Sequence, residues 1–179
     1  MIVSPELFKQ RFLEAVCLFE SRLVAAWGSG EAYSQLFQRD DPQGGLFRAI
    51  AERLGLKYCD EYFKFDAVLY ERPERRLLEQ KRTECILVAI EHETQAQTSI
   101  EEMNKLAILN APLKVLITYE ERQKQAEYLG TYAEMLHAAD VFEDFGTLRR
   151  HLVIFGDRRG QKINWSFHLF NGNSFDEIY

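Results

Sequence analysis

Apolar residues recur every three or four positions from Phe8 through Phe12, Val16, Phe19 and Leu23 to Trp27, which makes one stripe along a helix. Ser4 followed by Pro5 marks its start, a capping hydroxyl and then proline at the first helical position, and Gly28-Ser29-Gly30 ends it. Asp40-Asp41-Pro42-Gln43-Gly44-Gly45 is turn chemistry that separates a short helical piece from a second helix. That helix carries Leu46, Phe47, Ile50, Ala51 and Leu54 on one side and closes at Gly55. The period then changes to two. From Glu61 to Tyr70, Phe63, Phe65, Ala67 and Leu69 share one face, and Tyr62, Lys64, Asp66, Val68 and Tyr70 the other, which predicts a strand. The apolar run Ile86-Leu87-Val88-Ala89-Ile90 predicts a second strand and ends in Glu91-His92-Glu93.

Thr98 or Ser99, followed three residues later by Glu101 or Glu102, has the form of a capping box. It opens a helix through about Asn110 with Ile100, Met103, Leu106 and Ala107 inward. Leu113 to Tyr119 follows as a third strand, Glu120 to about Phe142 as a helix, and His151 to Phe155 as a fourth strand. Asp157-Arg158-Arg159-Gly160 predicts a hairpin turn into a fifth strand, Ile163 to Phe170. A helix between the second and third strands is a crossover, which makes those strands parallel. The expected fold is therefore α/β, a central mixed β-sheet flanked by helices on both faces.

Length and composition fit one core: 179 residues, 46% hydrophobic, predict a single domain over 1–179. Cys17, Cys59 and Cys85 are odd in number and lack a CxxC, so reduced thiols in the core are expected in place of a disulfide framework or zinc site. The start, Met1-Ile2-Val3-Ser4-Pro5, lacks a basic region followed by an apolar one, and no apolar run approaches a membrane span. The expectation is a cytoplasmic protein with no membrane partner. A net charge of −6 argues against coating nucleic acid non-specifically but leaves room for a local basic face.

Chemistry concentrates where the second strand ends. On a strand Glu91 and Glu93 project from one face. Two carboxylates about 4 Å apart at an effective dielectric near 20 repel by on the order of 4 kcal/mol, so they are either solvated or share a cation or a proton. Asp66 is the second anomaly, because Asp is depleted from strands; a strand-end turn or bulge is one explanation and a site the other. If the first two strands pair as a hairpin, Asp66 lies near the end that holds Glu91. Glu20 falls at the border of the first helix's stripe, either snorkelling to solvent or reaching a site, and Glu52 is a reserve on the polar side of its helix. Lys105 has the spacing of an i, i+4 partner of Glu101, and His92 points away from the two glutamates.

Asp66, then Glu91-His92-Glu93 at the end of an apolar strand, then a helix with Lys105 and a further strand, resembles the PD-(D/E)XK nuclease superfamily over roughly Phe63 to Tyr119. In the signature Asp66 takes the first acidic place and Glu91 the second, Glu93 stands in the Lys place, and Phe65 replaces the proline. Lys105 stands where some members carry a lysine that has migrated to the following helix. The resemblance implies a restriction-endonuclease-like core and hydrolysis of DNA phosphodiesters with Mg2+ or Mn2+. Asp66 and Glu91 would be metal ligands, Glu93 a ligand or general base, Glu20 the completion of the metal shell, and Lys105 a stabiliser of phosphate charge. Arg72, Arg75, Arg76, Lys81 and Arg82 would be the DNA-binding patch, with Arg149, Arg150, Arg158, Arg159 and Lys162 as a second. The competing implication is a non-catalytic module of the same fold that binds protein or nucleic acid. A homodimer or larger complex is expected if two strands are to be cut.

Overall fold

A computed structural model describes residues 2–38, 44–71, 85–141 and 143–179. Helix α1 (Pro5–Ala26) begins where the Ser4 hydroxyl accepts the Leu7 N–H at 3.1 Å, and buries Phe8, Phe12, Val16, Phe19 and Leu23. A short α2 (Glu31–Gln35) and α3 (Leu46–Leu54) follow. They are drawn together by the Leu46 N–H on the Leu36 carbonyl (2.8 Å) and the Phe47 N–H on that of Phe37 (3.1 Å). Gly45 makes this approach feasible: at φ 72° a Cβ would stand 1.9 Å from the Gln38 carbonyl oxygen.

Seven strands form one sheet in chain order: β1 (Lys57–Tyr62), β2 (Phe65–Glu71), β3 (Cys85–His92), β4 (Leu113–Tyr119), β5 (Arg150–Arg159), β6 (Lys162–Phe170) and β7 (Phe175–Glu177). β1, β2 and β3 are antiparallel neighbours, β3, β4 and β5 are parallel, and β5, β6 and β7 are antiparallel again. The parallel pairs are those joined by helices, α4 (Ser99–Ile108) and α5 (Gln125–Ala139), as crossover connections require. Side-chain alternation splits the core in two. Ala67, Leu69, Val88, Ile90, Val115 and Ile117 pack beneath α1 and α3, while Val68, Ala89, Leu116, Val153 and Phe155 pack beneath α4 and α5. The fold is thus α/β with a central mixed sheet and helices on both faces. Among the described residues no helix is long and apolar enough to cross a membrane.

Several features differ from their sequence expectation, beginning with the thiols, since Cys17 and Cys85 are exposed and only Cys59 is partly buried. Glu61 to Tyr70 is two strands, because the chain reverses at Phe63-Lys64 and Tyr62 pairs with Phe65. The reversal uses left-handed backbone at residues that rarely adopt it, Phe63 (φ 49°) and Lys64 (φ 71°), so no turn-forming Gly or Asn marked it. The expected capping box is not made: Thr98 gives no side-chain cap, and the Ser99 hydroxyl bonds the Ala96 carbonyl at 2.6 Å and the Tyr132 hydroxyl instead. α5 starts at Gln125 and not at Glu120. Arg158 and Arg159 belong to β5, with the reversal at Gly160-Gln161.

Candidate active site

Asp66 is the second residue of β2 and Glu91 the last but one of β3, and the neighbouring pair Ala67–Ile90 sets them side by side on the face covered by α4. The Asp66 N–H donates to Glu91 Oε2 at 3.4 Å, and the His92 N–H donates to Asp66 Oδ2 at 2.7 Å. Each acid therefore touches the strand that carries the other. Glu91 is 1% exposed, although a carboxylate at that depth needs a counter-charge or a proton.

The counter-charge is Lys105. Its ammonium lies 3.0 Å from Glu91 Oε1, pairs with Glu102 one helical turn earlier, and donates to the Lys64 carbonyl at 3.3 Å. Lys105 thus pairs with Glu102 and Glu91, and of its two readings the i, i+4 spacing to Glu101 is not the one used. Burial pushes the Glu91 carboxyl up to about 8; the Lys105 ammonium offsets this in part, while Asp66 and Glu102 reinforce it by repulsion. Burial also raises Asp66, against the lowering effect of the His92 N–H. Burial works against the Lys105 ammonium, but its bonds to Glu102 and Glu91 prevail and raise its pKa.

Other expected site residues lie elsewhere. Glu93 follows the end of β3, held by its N–H on the Ile117 carbonyl at 2.9 Å, and its carboxylate accepts the Gln95 N–H at 3.2 Å and the Thr94 hydroxyl at 3.4 Å. It caps the turn into α4 and bonds neither Asp66 nor Glu91, because strand alternation ceases once the chain bends. Glu20 is a correction as well. It is exposed on α1, the helix that covers the opposite face of the sheet, and lines a groove with Cys17, Trp165 and Tyr179. Glu52 is exposed and pairs with Arg48 at 3.1 Å.

Arg72, Arg75, Arg76, Lys81 and Arg82 lie outside the described residues. The second basic group is not one patch. Arg150 and Arg159 are at opposite ends of β5, about 30 Å apart on a ten-residue strand, and Arg149 is bound to Asp144 while Arg159 pairs with Asp157 at 3.0 Å. His92 lies on the other face, as strand alternation predicts: its ring stacks on Phe37 (centroids 3.9 Å, 18°) and its Nε2 meets the Tyr119 hydroxyl at 2.8 Å.

Glu102 is the functional candidate that sequence reading missed. It was absorbed into a capping motif, although its i, i+3 spacing to Lys105 places both on one helix face.

Asp66, Glu91 and Glu102 offer carboxylate oxygens, the ligand type of hard divalent cations, and Lys105 already offsets part of their mutual repulsion. Among the described residues no three ligating side chains enclose an ion by themselves. An ion here would rest on one or two carboxylates and fill its shell with water and substrate oxygens, the usual arrangement for Mg2+.

No family model and no curated protein sequence matches the chain. Among solved structures, the central domain of yeast acetyl-CoA carboxylase is similar at 12% identity and a TM-score of 0.46, over 95% of this chain and 34% of that one. A carbon-nitrogen hydrolase from Helicobacter pylori G27 is similar at 10% identity and a TM-score of 0.36, over 96% of this chain and 80% of that one. At these values neither bears on the chemistry of the site.

Proposed function

We propose that this chain is a restriction-endonuclease-like, metal-dependent phosphodiesterase that acts on DNA. The observation that carries the reading is the convergence of Asp66, Glu91 and the Lys105 ammonium, brought from two adjacent strands and the crossover helix to one spot. When bound, Mg2+ or Mn2+ would supply a water of lowered pKa and a Lewis acid for the phosphate oxygens. Asp66 and Glu91 would hold the ion, with Glu102 in the supporting place first expected of Glu93. Lys105, released from Glu91 as that carboxylate turns to the ion, would donate to a phosphate oxygen as negative charge develops there. Burial raises the Glu91 carboxyl, so ion entry would favour loss of any proton it holds. One centre per chain cuts one strand, so cleavage of both strands of a duplex would bring two copies together.

The second reading, a non-catalytic module that binds a protein or nucleic acid, is favoured by one feature: Glu91 and Glu102 already neutralise Lys105. Incubation with duplex and single-stranded DNA in Mg2+ and in Mn2+ separates the two. Wild type should cleave, Asp66→Asn and Glu91→Gln should not, and Lys105→Ala should lower kcat on the order of 10²-fold with a smaller change in KM. Absence of cleavage by wild type in either metal overturns the catalytic reading.

A further inference from the structure

The reversal between β1 and β2 is unusual in three respects. Its two residues, Phe63 (φ 49°) and Lys64 (φ 71°), are left-handed and neither Gly nor Asn, as is Glu61 (φ 49°) just before it on β1, so the backbone here is held in a conformation its side chains disfavour. Its tip presents an aromatic ring to solvent, Phe63 at 81% exposure, braced edge-on by Tyr62 with ring centroids 4.8 Å apart. And its backbone is tied to the proposed reaction centre, because the Lys64 carbonyl accepts from the same Lys105 ammonium that meets Glu91.

The turn's backbone carries a conformational cost, and the Phe63 ring, braced by Tyr62, stays exposed to solvent. Charge does not single the tip out, since Lys64 and Glu61 offset one another. The aromatic face does. Phe63 adjoins Lys64, whose carbonyl meets Lys105, so a phosphate at Lys105 would bring its flanking bases toward the tip, and a ring can stack only on a base that is free of its own neighbours.

We infer, resting on the phosphodiesterase reading above, that Phe63 is a base-stacking residue, and that the substrate is DNA whose bases are unstacked at the cleavage point, single-stranded or locally opened. Tyr62 braces the ring, and the Lys64 carbonyl registers the tip to Lys105.

The test compares binding and Mn2+-dependent cleavage of a single-stranded oligonucleotide and its duplex by wild type, Phe63→Leu, Phe63→Trp and Phe63→Asn. Leucine keeps an apolar side chain without a π face, and should lower the single-strand to duplex ratio by about 5- to 100-fold, the range of one base–aromatic stack. Tryptophan should recover it. Asparagine, which tolerates left-handed backbone, should raise the thermal midpoint while lowering the ratio, a pairing of effects that a structural ring would not give. A wild type that cleaves, with Phe63→Leu showing an unchanged ratio, overturns this inference and leaves the phosphodiesterase reading intact. The same follows if Leu and Trp behave alike, which points to an apolar contact with a protein. A wild type that neither binds nor cleaves either DNA overturns both.

Discussion

Glu91 stands where β3 is still covered by α4, one residue before the strand ends, and its depth sets its acidity. Burial raises this carboxyl from 4.5 in an unfolded chain to about 8 in the folded protein, against the pull of Lys105. Between those values the native state holds a proton that the unfolded state has lost, so this residue's contribution to stability falls as pH rises through the window. The neighbouring His92 works in the opposite direction. Burial pushes its imidazole down from 6.5 to about 3, so the unfolded chain takes up a proton first and stability is lost as pH falls below 6.5. Denaturant melts from pH 4 to 9 should therefore show Glu91→Gln removing the decline toward pH 8 while leaving the acid limb, and His92→Phe flattening the acid limb. A Glu91→Gln protein that still declines between pH 5 and 8 would put that dependence elsewhere. Sequence alternation was enough to give these two neighbours opposite faces. It did not reveal that Glu93, two residues on, had left the strand, because Glu91 and Glu93 look alike until the bend at Thr94-Gln95 is known.

At the level of elements, hydrophobic period served helices better than hairpins. α1 and α3 were legible because their apolar stripes have glycine or a capping serine at the ends. β1 was not, because the run Phe63, Phe65, Ala67, Leu69 continues the two-residue alternation through a reversal with no turn residue in it. The same strained turn carries a prediction. Lys64→Gly removes the side-chain penalty of left-handed backbone, on the order of 1 kcal/mol, and should raise the thermal midpoint by about 2–4 °C despite the greater freedom of glycine in the unfolded chain. The carbonyl that holds Lys105 remains in the variant. A midpoint that falls would mean the Lys64 side chain stabilises the turn by more than its backbone costs. α4 is the element whose importance was least visible, since Glu101 and Glu102 read as first-turn acids and only the packed helix turns Glu102 and Lys105 together toward β3.

Across the whole molecule, the order of strands and crossovers is what brings distant acids together. Two helical crossovers make β3, β4 and β5 parallel, and β2 pairs antiparallel with β3, so residues 25 positions apart meet at one sheet end. This much followed from the order of elements, whereas Glu20 does not join the cluster: it is exposed on α1, which packs on the sheet face opposite Asp66 and Glu91. The site also fixes how metal and stability should be linked. A cation held only by the folded cluster stabilises it by about 2.7 kcal/mol at a hundredfold excess over Kd, so millimolar Mg2+ or Mn2+ should raise the thermal midpoint. Asp66→Asn and Glu91→Gln should abolish that rise. Without metal the choice of substitution matters, since Asp66 accepts the His92 N–H at 2.7 Å. Asp66→Ala strands that buried donor and should cost about 1–3 kcal/mol, whereas Asp66→Asn keeps an acceptor oxygen, removes a like charge beside Glu91, and should be neutral or slightly stabilising. Because Glu91 must give up its proton to bind an ion, the metal-induced shift should grow from pH 6 to pH 8, opposite to the apo protein's own decline over that range. A shift that is independent of pH, or equal in wild type and both charge-removing variants, would locate cation binding away from these carboxylates.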